Sequence, residues 1–133
     1  MIVVDVNIIL HALTATPQNE LARQLRRRDS DWLAPPLWRH EMLNVLATLT
    51  RQEVLARQSA LTVWQNALDL MAAREQPPDM EHAFSLAIAH GISAYDAQYI
   101  ALAESLDVLM VSEDRKLNRL LPQRVISLAQ ALA

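Results

Sequence analysis

A run of three β-branched residues, Ile2-Val3-Val4, is followed at once by a carboxylate at Asp5 and then by an amide at Asn7. Such an uninterrupted apolar run predicts a strand that is buried on both faces, as in the middle of a parallel sheet. In open parallel sheets, ligands bind just beyond the carboxyl ends of the strands. A charge buried there costs several kcal/mol unless it is paired or coordinated. Asp5 is therefore either the N-cap of a following helix, a role that Asp favours, or part of a ligand site.

Strand-like and helix-like segments alternate along the rest of the chain. Short apolar runs predict further strands at Trp32–Ala34, Val108–Val111 and Val125–Leu128. Amphipathic spacing and capping residues predict helices at 8–13, 19–28, 37–51, 57–74, 80–90, 93–106 and 115–121, with a helical tail at the C-terminus. This alternation is typical of an α/β fold with a parallel sheet. A chain of 133 residues is expected to form one domain, spanning residues 1–133.

The composition excludes several kinds of site. Without cysteine, the chain has neither disulfides nor a cysteine-based zinc or iron–sulfur centre. Gly91 is the only glycine, so a glycine-rich phosphate-binding loop is excluded. No apolar run approaches the ~18 residues that a membrane span needs. The apolar N-terminal segment lacks the basic residues of a secretory leader. These features together favour a cytoplasmic protein without a membrane-spanning segment.

The net charge of −3 argues at first against binding to nucleic acid. However, if four of the fifteen acids line one metal site, the remaining eleven face twelve bases. All of those bases except Lys116 are arginines, which suit bidentate contacts with phosphate. Four of the arginines lie on the outward face or at the end of the helix predicted over 19–28, and cations at that end complement the helix dipole; they are Arg23, Arg26, Arg27 and Arg28.

Four acids occur where predicted strands end or predicted helices begin. Asp5 follows the first strand, and Ser112-Glu113-Asp114 follows the strand predicted at Val108–Val111. Glu41 lies in the first turns of its helix, and Asp96 follows Ser93 at the spacing of a capping box. In a parallel sheet, strand carboxyl ends and the N-termini of the following helices share one rim. The sequence therefore predicts that these carboxylates converge on one point.

Oxygen ligands without histidine or cysteine favour Mg²⁺ or Mn²⁺. Such a site suits hydrolysis of phosphodiester bonds by a metal-activated water, with one or two metals. Asn7 and Ser112 are candidates to orient water or to support the acids. Arg39, Arg115 and Lys116 are candidate contacts for the phosphates of RNA, although each is equally consistent with an ordinary surface charge.

The chain resembles the PIN-domain ribonucleases, and within them the toxin subunits of VapBC toxin–antitoxin systems. The motifs that carry this resemblance, in order, are Val4-Asp5-Val6-Asn7, Glu41, the segment from Ser93 to Ala103 and Val111-Ser112-Glu113-Asp114-Arg115-Lys116-Leu117. Val6 departs from the hydroxyl residue that is common between Asp and Asn in the family, and Ser112 stands where Thr is frequent. Neither change removes an acid.

The resemblance implies a three-layer α/β/α fold around a mainly parallel sheet of four or five strands, and cleavage of RNA that depends on Mg²⁺ or Mn²⁺. Asp5, Glu41, Asp96 and Asp114 would then be the catalytic, metal-binding acids, with Asp5 and Asp96 holding the main ion. Asp114 is preferred over its neighbour Glu113 because it matches the family position. A homodimer and inhibition by a small antitoxin protein are also implied.

Two other functions fit parts of the sequence. A PIN-like protein can be a non-catalytic binding or scaffold module, although retention of all four acids argues against this. An aspartyl-phosphate phosphohydrolase would use Asp5 as its nucleophile, but that chemistry usually places a second Asp where this chain has Asn7. Transfer, ribosomal and messenger RNA all stay open as substrates, because recognition of single-stranded RNA depends on loop shape.

Overall fold

The computed structural model describes residues 1–133. Four short strands form one parallel sheet in the order β2-β1-β3-β4. They are β1 (Ile2–Val4), β2 (Trp32–Leu33), β3 (Met110–Val111) and β4 (Val125–Ile126). Ile2 lies beside Trp32 of β2, and Val4 lies beside Val111 of β3. The predicted parallel sheet is therefore confirmed, with β1 and β3 as its two central strands.

Eight α-helices complete a three-layer α/β/α fold. They are α1 (Val6–Leu13), α2 (Asn19–Arg28), α3 (Trp38–Arg51), α4 (Arg57–Met71), α5 (Met80–His90), α6 (Ala94–Leu106), α7 (Arg115–Leu120) and α8 (Leu128–Leu132). The helix predicted to continue to residue 74 ends at Met71, and the chain tightens into a 3-10 turn at Ala72–Arg74. This turn brings Glu75 beside Ala34 in an isolated parallel bridge, which extends the edge of the sheet by one residue pair.

Local capping explains where several helices begin and end. Asp79 accepts the His82 N–H and caps α5, and Gly91 ends that helix with a left-handed φ of 63°. Glycine suits this position because a side chain strains such a backbone conformation. No helix is both long and apolar enough to cross a membrane.

The C-terminal segment differs from the prediction. The strand expected over Val125–Leu128 ends at Ile126, because Ser127 and Gln130 form a reciprocal capping box that starts α8. The pattern of Ser followed three residues later by Gln signals this helix start, and the apolar run concealed it. At α6, where a capping box was predicted, Ser93 does accept the Asp96 N–H.

The core lies on both faces of the central strands. Val3, Val4, Met110 and Val111 are completely buried. α6 contacts both β1 and β3, and small residues such as Ala97 and Ala101 are completely buried along it. Burial of this kind stabilises a fold by about 25 cal/mol per Å² of apolar surface. It also fixes the start of α6 beside the carboxyl ends of the central strands.

Candidate active site

Asp5 stands where β1 ends and α1 begins. Its carboxylate accepts the Ile8 N–H at 3.1 Å, so it caps α1, and the Ser112 hydroxyl lies beside it. Burial raises the pKa of Asp5 to about 6, with a further contribution from the negative charges of Asp96 and Glu41. The Ile8 N–H and the Ser112 hydroxyl oppose this rise in pKa but do not cancel it. Asp5 is therefore both a helix cap and a buried acid with acidic neighbours.

Glu41 lies in the first turn of α3 and is held by a tyrosine. The Tyr99 hydroxyl donates to Glu41 Oε1 at 2.6 Å. Partial burial raises the pKa of Glu41, and the charge of Asp96 adds to the rise, while the bond from Tyr99 lowers it. Burial and the same acidic neighbours raise the pKa of Tyr99 far above its ordinary value. The phenol therefore stays protonated and acts as a permanent donor to Glu41.

Asp96 lies in the first turn of α6, and Asp114 caps α7. Burial raises the pKa of Asp96, and the nearby charge of Asp114 raises it further, while Ser93 and Lys116 lower it. Asp114 accepts the Leu117 N–H at 3.1 Å and is itself solvent-exposed. These two acids are therefore electrostatic neighbours at the starts of two helices.

The four acids, which we call the acidic rim, are brought together from four separated segments: Asp5, Glu41, Asp96 and Asp114. Asp5, Glu41 and Asp96 are coupled through the effect of their charges on one another, and Asp114 is coupled to Asp96. However, no three acidic or histidine side chains of the chain stand close enough in this structure to hold one metal ion together. We expected all four carboxylates to converge on one point. In the structure they are neighbours, but they do not form one cluster around a single ion.

Ser112 contacts two residues of the acidic rim, Asp5 and Asp114. Its side chain is completely buried, and no other polar or charged residue is. The Ser112 Oγ accepts the Asp114 N–H at 3.0 Å, and the hydroxyl lies beside Asp5. Glu113, the alternative to Asp114, instead accepts the Leu128 N–H at 2.7 Å and so ties α8 to the end of β3. Asn7 is exposed on α1 and makes no side-chain hydrogen bond.

The three candidate phosphate contacts have different surroundings. Lys116 lies beside Asp96, and its Nζ donates to the Gly91 carbonyl at 3.1 Å. Arg115 is exposed at the start of α7. Arg39 is ion-paired with Glu75, a carboxylate outside the acidic rim. Of the three, Lys116 has the surroundings that best fit a phosphate contact at the rim.

The sequence profile of the PIN domain matches residues 2–120. The chain belongs to the PIN-domain family. It is 26% identical over 127 residues to Ribonuclease VapC3 of Pyrobaculum aerophilum, a match that covers 93% of this chain and 97% of that protein. The family that the four motifs predicted is therefore confirmed.

Solved structures share the fold of this PIN domain. PAE2754 from Pyrobaculum aerophilum superposes with a TM-score of 0.75 at 20% identity, covering 98% of this chain and 92% of its own. FitAcB from Neisseria gonorrhoeae gives a TM-score of 0.71 at 22% identity, covering 97% and 99%. FitAB bound to an IR36 DNA fragment gives 0.70 at 23% identity, covering 96% and 95%. The predicted α/β/α architecture is confirmed over nearly the whole chain.

The ligands available in this PIN domain fit a hard divalent cation. The acidic rim offers only carboxylate oxygens, with the Ser112 hydroxyl beneath them, and Mg²⁺ and Mn²⁺ prefer such ligands. Repulsion among partly buried carboxylates is the condition that a bound cation relieves. Within the rim, the charge of Asp96 acts on both Asp5 and Glu41, and Asp96 is in turn affected by Asp114.

Tyr99 was not recognised from the sequence as part of the site. Its signal is its spacing from Asp96, since residues three apart share one face of a helix. The ring of Tyr99 is buried in the core, but its hydroxyl reaches Glu41 on a different helix. Only the tertiary structure, in which α3 packs on α1 and α4, brings these two groups together.

Proposed function

We propose that this PIN domain is an endoribonuclease that depends on Mg²⁺ or Mn²⁺ and acts in the cytoplasm as the toxin of a toxin–antitoxin pair. The observation that carries the proposal is the acidic rim, in which Asp5 and Asp114 follow the two central strands and Glu41 and Asp96 are their electrostatic neighbours. The resemblance to VapC-type toxins and the similarity to a protein named Ribonuclease VapC3 support the choice of RNA as substrate.

In this proposal each acid has a definite task. Asp5 and Asp96 would hold the main ion, and Glu41 and Asp114 would complete its surroundings. Bound there, a divalent ion would supply activation of a water molecule and stabilisation of the leaving oxygen. Tyr99 fixes the orientation of Glu41, and Ser112 fixes Asp5. Lys116 places a positive charge at the rim, where a phosphate of the substrate would lie.

Cleavage assays with matched variants test this proposal. Asp96→Asn and Asp5→Asn are expected to abolish cleavage of RNA in the presence of Mn²⁺ and to weaken Mn²⁺ binding measured by titration calorimetry. Asp79→Asn is the control, because Asp79 caps α5 in the same way but lies outside the acidic rim. Cleavage that persists in a chelator, with a preparation free of contaminating nucleases, would contradict the metal dependence.

A small antitoxin protein and a homodimer belong to the same proposal. Inhibition by an antitoxin that inserts a basic side chain at the acidic rim is expected to compete with Mn²⁺ binding. Sedimentation of the purified chain measures whether two copies associate.

A non-catalytic binding module is the second candidate. It is favoured by the finding that no three acidic side chains stand close enough in the structure to hold one ion. Under this alternative, calorimetry with Mn²⁺ detects no binding and the wild-type chain leaves RNA intact.

A further inference from the structure

Arginines are concentrated at one end of the molecule, away from the acidic rim. Four of the eleven lie on α2, and Arg74 joins them through its ion pair with Asp31 at the start of β2. We call these five residues the α2 arginine patch: Arg23, Arg26, Arg27, Arg28 and Arg74. In a chain whose net charge is −3, such a local excess of positive charge calls for a physical explanation.

The acids near this patch neutralise only part of it. Glu20 pairs with Arg27 at 2.9 Å, and Asp31 pairs with Arg74. Asp29 is taken by the N-terminal ammonium group, also at 2.9 Å. The remaining guanidinium groups, those of Arg23, Arg26 and Arg28, have no carboxylate partner.

Two of these three arginines are held in fixed positions. The Arg26 guanidinium lies over the ring of Trp32, 5.4 Å from its centroid, and donates to the Ser30 carbonyl. Arg28 donates to the Leu132 carbonyl at 2.8 Å. Complementing the α2 dipole does not require either contact, since both bonds go to carbonyls outside α2. The patch is thus partly ordered before any ligand arrives, which reduces the entropy lost on binding.

A surface cavity of about 350 Å³ opens within the patch and is lined by Ala12, Arg23, Arg26, Arg27 and Leu70. Partial burial lowers the pKa of Arg26, and the positive charge of Arg74 lowers it further. The cavity is therefore lined by crowded positive charges whose repulsion a bound anion would relieve. Its two apolar residues offer little surface for the hydrophobic core of a protein interface.

The patch and the acidic rim lie at opposite ends of the sheet. The Arg26 side chain lies over Trp32, which begins β2 and pairs with Ile2 near the start of β1. Asp5, by contrast, follows the last residue of β1. At about 3.3 Å per residue along a strand, this places the patch about 10 Å from the rim in the strand direction. A polyanion that contacts both ends of the sheet must therefore be longer than one phosphate.

We propose that the α2 arginine patch binds phosphates of the RNA strand at a distance from the bond that is cut. Guanidinium groups match phosphate oxygens in pairs, and contacts with phosphate supply much of the affinity of proteins for nucleic acid. This inference rests on the proposed function for its choice of RNA. It adds a second contact region that positions the strand while the acidic rim acts on it.

Binding of a fluorescently labelled single-stranded RNA in EDTA, followed by anisotropy, separates this contact from cleavage. Arg23→Ser removes an exposed guanidinium that makes no hydrogen bond within the chain, so folding is expected to be unaffected. Arg57→Ser, an equally exposed arginine at the start of α4, is the matched control. We expect Arg23→Ser to weaken binding by about threefold to tenfold at low salt and to reduce the slope of log affinity against log salt by about 0.7.

The double variant Arg23→Ser/Arg28→Ser is expected to lose about twice as much of that slope. The inference is overturned if this variant binds RNA with the affinity and slope of the wild type, if Arg57→Ser causes an equal loss, or if polyglutamate binds the patch and RNA does not. A wild type that fails to cleave RNA, while Arg23→Ser still loses RNA binding, would refute the proposed function and leave the patch supported.

Discussion

Replacing Asp5 with Asn is expected to stabilise the metal-free protein. The pKa of Asp5 rises from its ordinary value of 3.8 to about 6 on folding. Because each pKa unit corresponds to 1.36 kcal/mol, the ionised carboxylate costs about 3 kcal/mol at neutral pH. Asp5 keeps some exposure to solvent, which reduces the expected gain to about 1–3 kcal/mol. Asn preserves the side-chain oxygen that accepts the Ile8 N–H, so the helix cap is retained.

The gain depends on pH in a direction that follows from linkage. Since the pKa is higher in the folded state, the folded protein holds the extra proton between pH 3.8 and about 6. The penalty in the wild type is therefore absent below the lower value and complete above the upper one. The difference in unfolding free energy between Asp5→Asn and wild type should be near zero at about pH 4 and largest at neutral pH.

Urea denaturation in EDTA at several pH values measures this difference, and Asp79→Asn supplies the control. Asp79 caps α5 through the same kind of bond but is exposed, so its replacement is expected to change stability by less than about 1 kcal/mol and to lower it. If Asp5→Asn destabilises the protein at neutral pH, or matches Asp79→Asn at every pH, then burial of the charge is not what raises the pKa of Asp5.

Two further substitutions test the groups that hold the acids in place. Tyr99→Phe removes the hydroxyl that donates to Glu41 and is expected to lower kcat by about 10- to 100-fold with little change in KM, as measured by steady-state kinetics. Tyr95→Phe, on the exposed side of the same helix, is the control and should leave both constants unchanged. Ser112→Ala leaves the Asp114 backbone N–H without its acceptor and removes the hydroxyl beside Asp5, and it is expected to cost about 1–3 kcal/mol in urea denaturation. The exposed Ser85→Ala should cost far less.

The strands and the starts of most helices could be predicted because their signals are local. An apolar run that ends in an acid marks β1, and Asp79 and Gly91 mark the two ends of α5. The prediction was wrong at the C-terminus, where two signals overlapped in Val125–Leu128: apolar residues favoured a strand, and Ser127 with Gln130 favoured a helix. The reciprocal capping bonds satisfy backbone groups that a longer strand would have left at the edge of the sheet, so the helix forms.

The location of the acids could be predicted, but the partners of the surrounding side chains could not. Parallel topology alone places Asp5 and Asp114 at the same end of the sheet, beyond the carboxyl ends of β1 and β3. By contrast, the bond from Tyr99 to Glu41 joins groups 58 residues apart, and no local pattern specifies it. Arg39, a candidate phosphate contact, pairs with Glu75, a carboxylate 36 residues away that no local pattern specifies.

The placement of all four acids at helix N-termini explains how this fold tolerates them. Asp5 and Asp114 are N-caps, while Glu41 and Asp96 lie in the first turns of their helices. A carboxylate at such a position gains about 0.3–1 kcal/mol from the helix dipole. That gain is smaller than the cost of about 3 kcal/mol that the pKa of Asp5 implies. The dipoles therefore reduce the repulsion within the acidic rim without removing it, and the residual negative charge is what a divalent cation would neutralise. Stability and function oppose each other where burial raises the pKa of an acid, so neutralising Asp5, Glu41 or Asp96 should make the metal-free protein more stable and the enzyme less active.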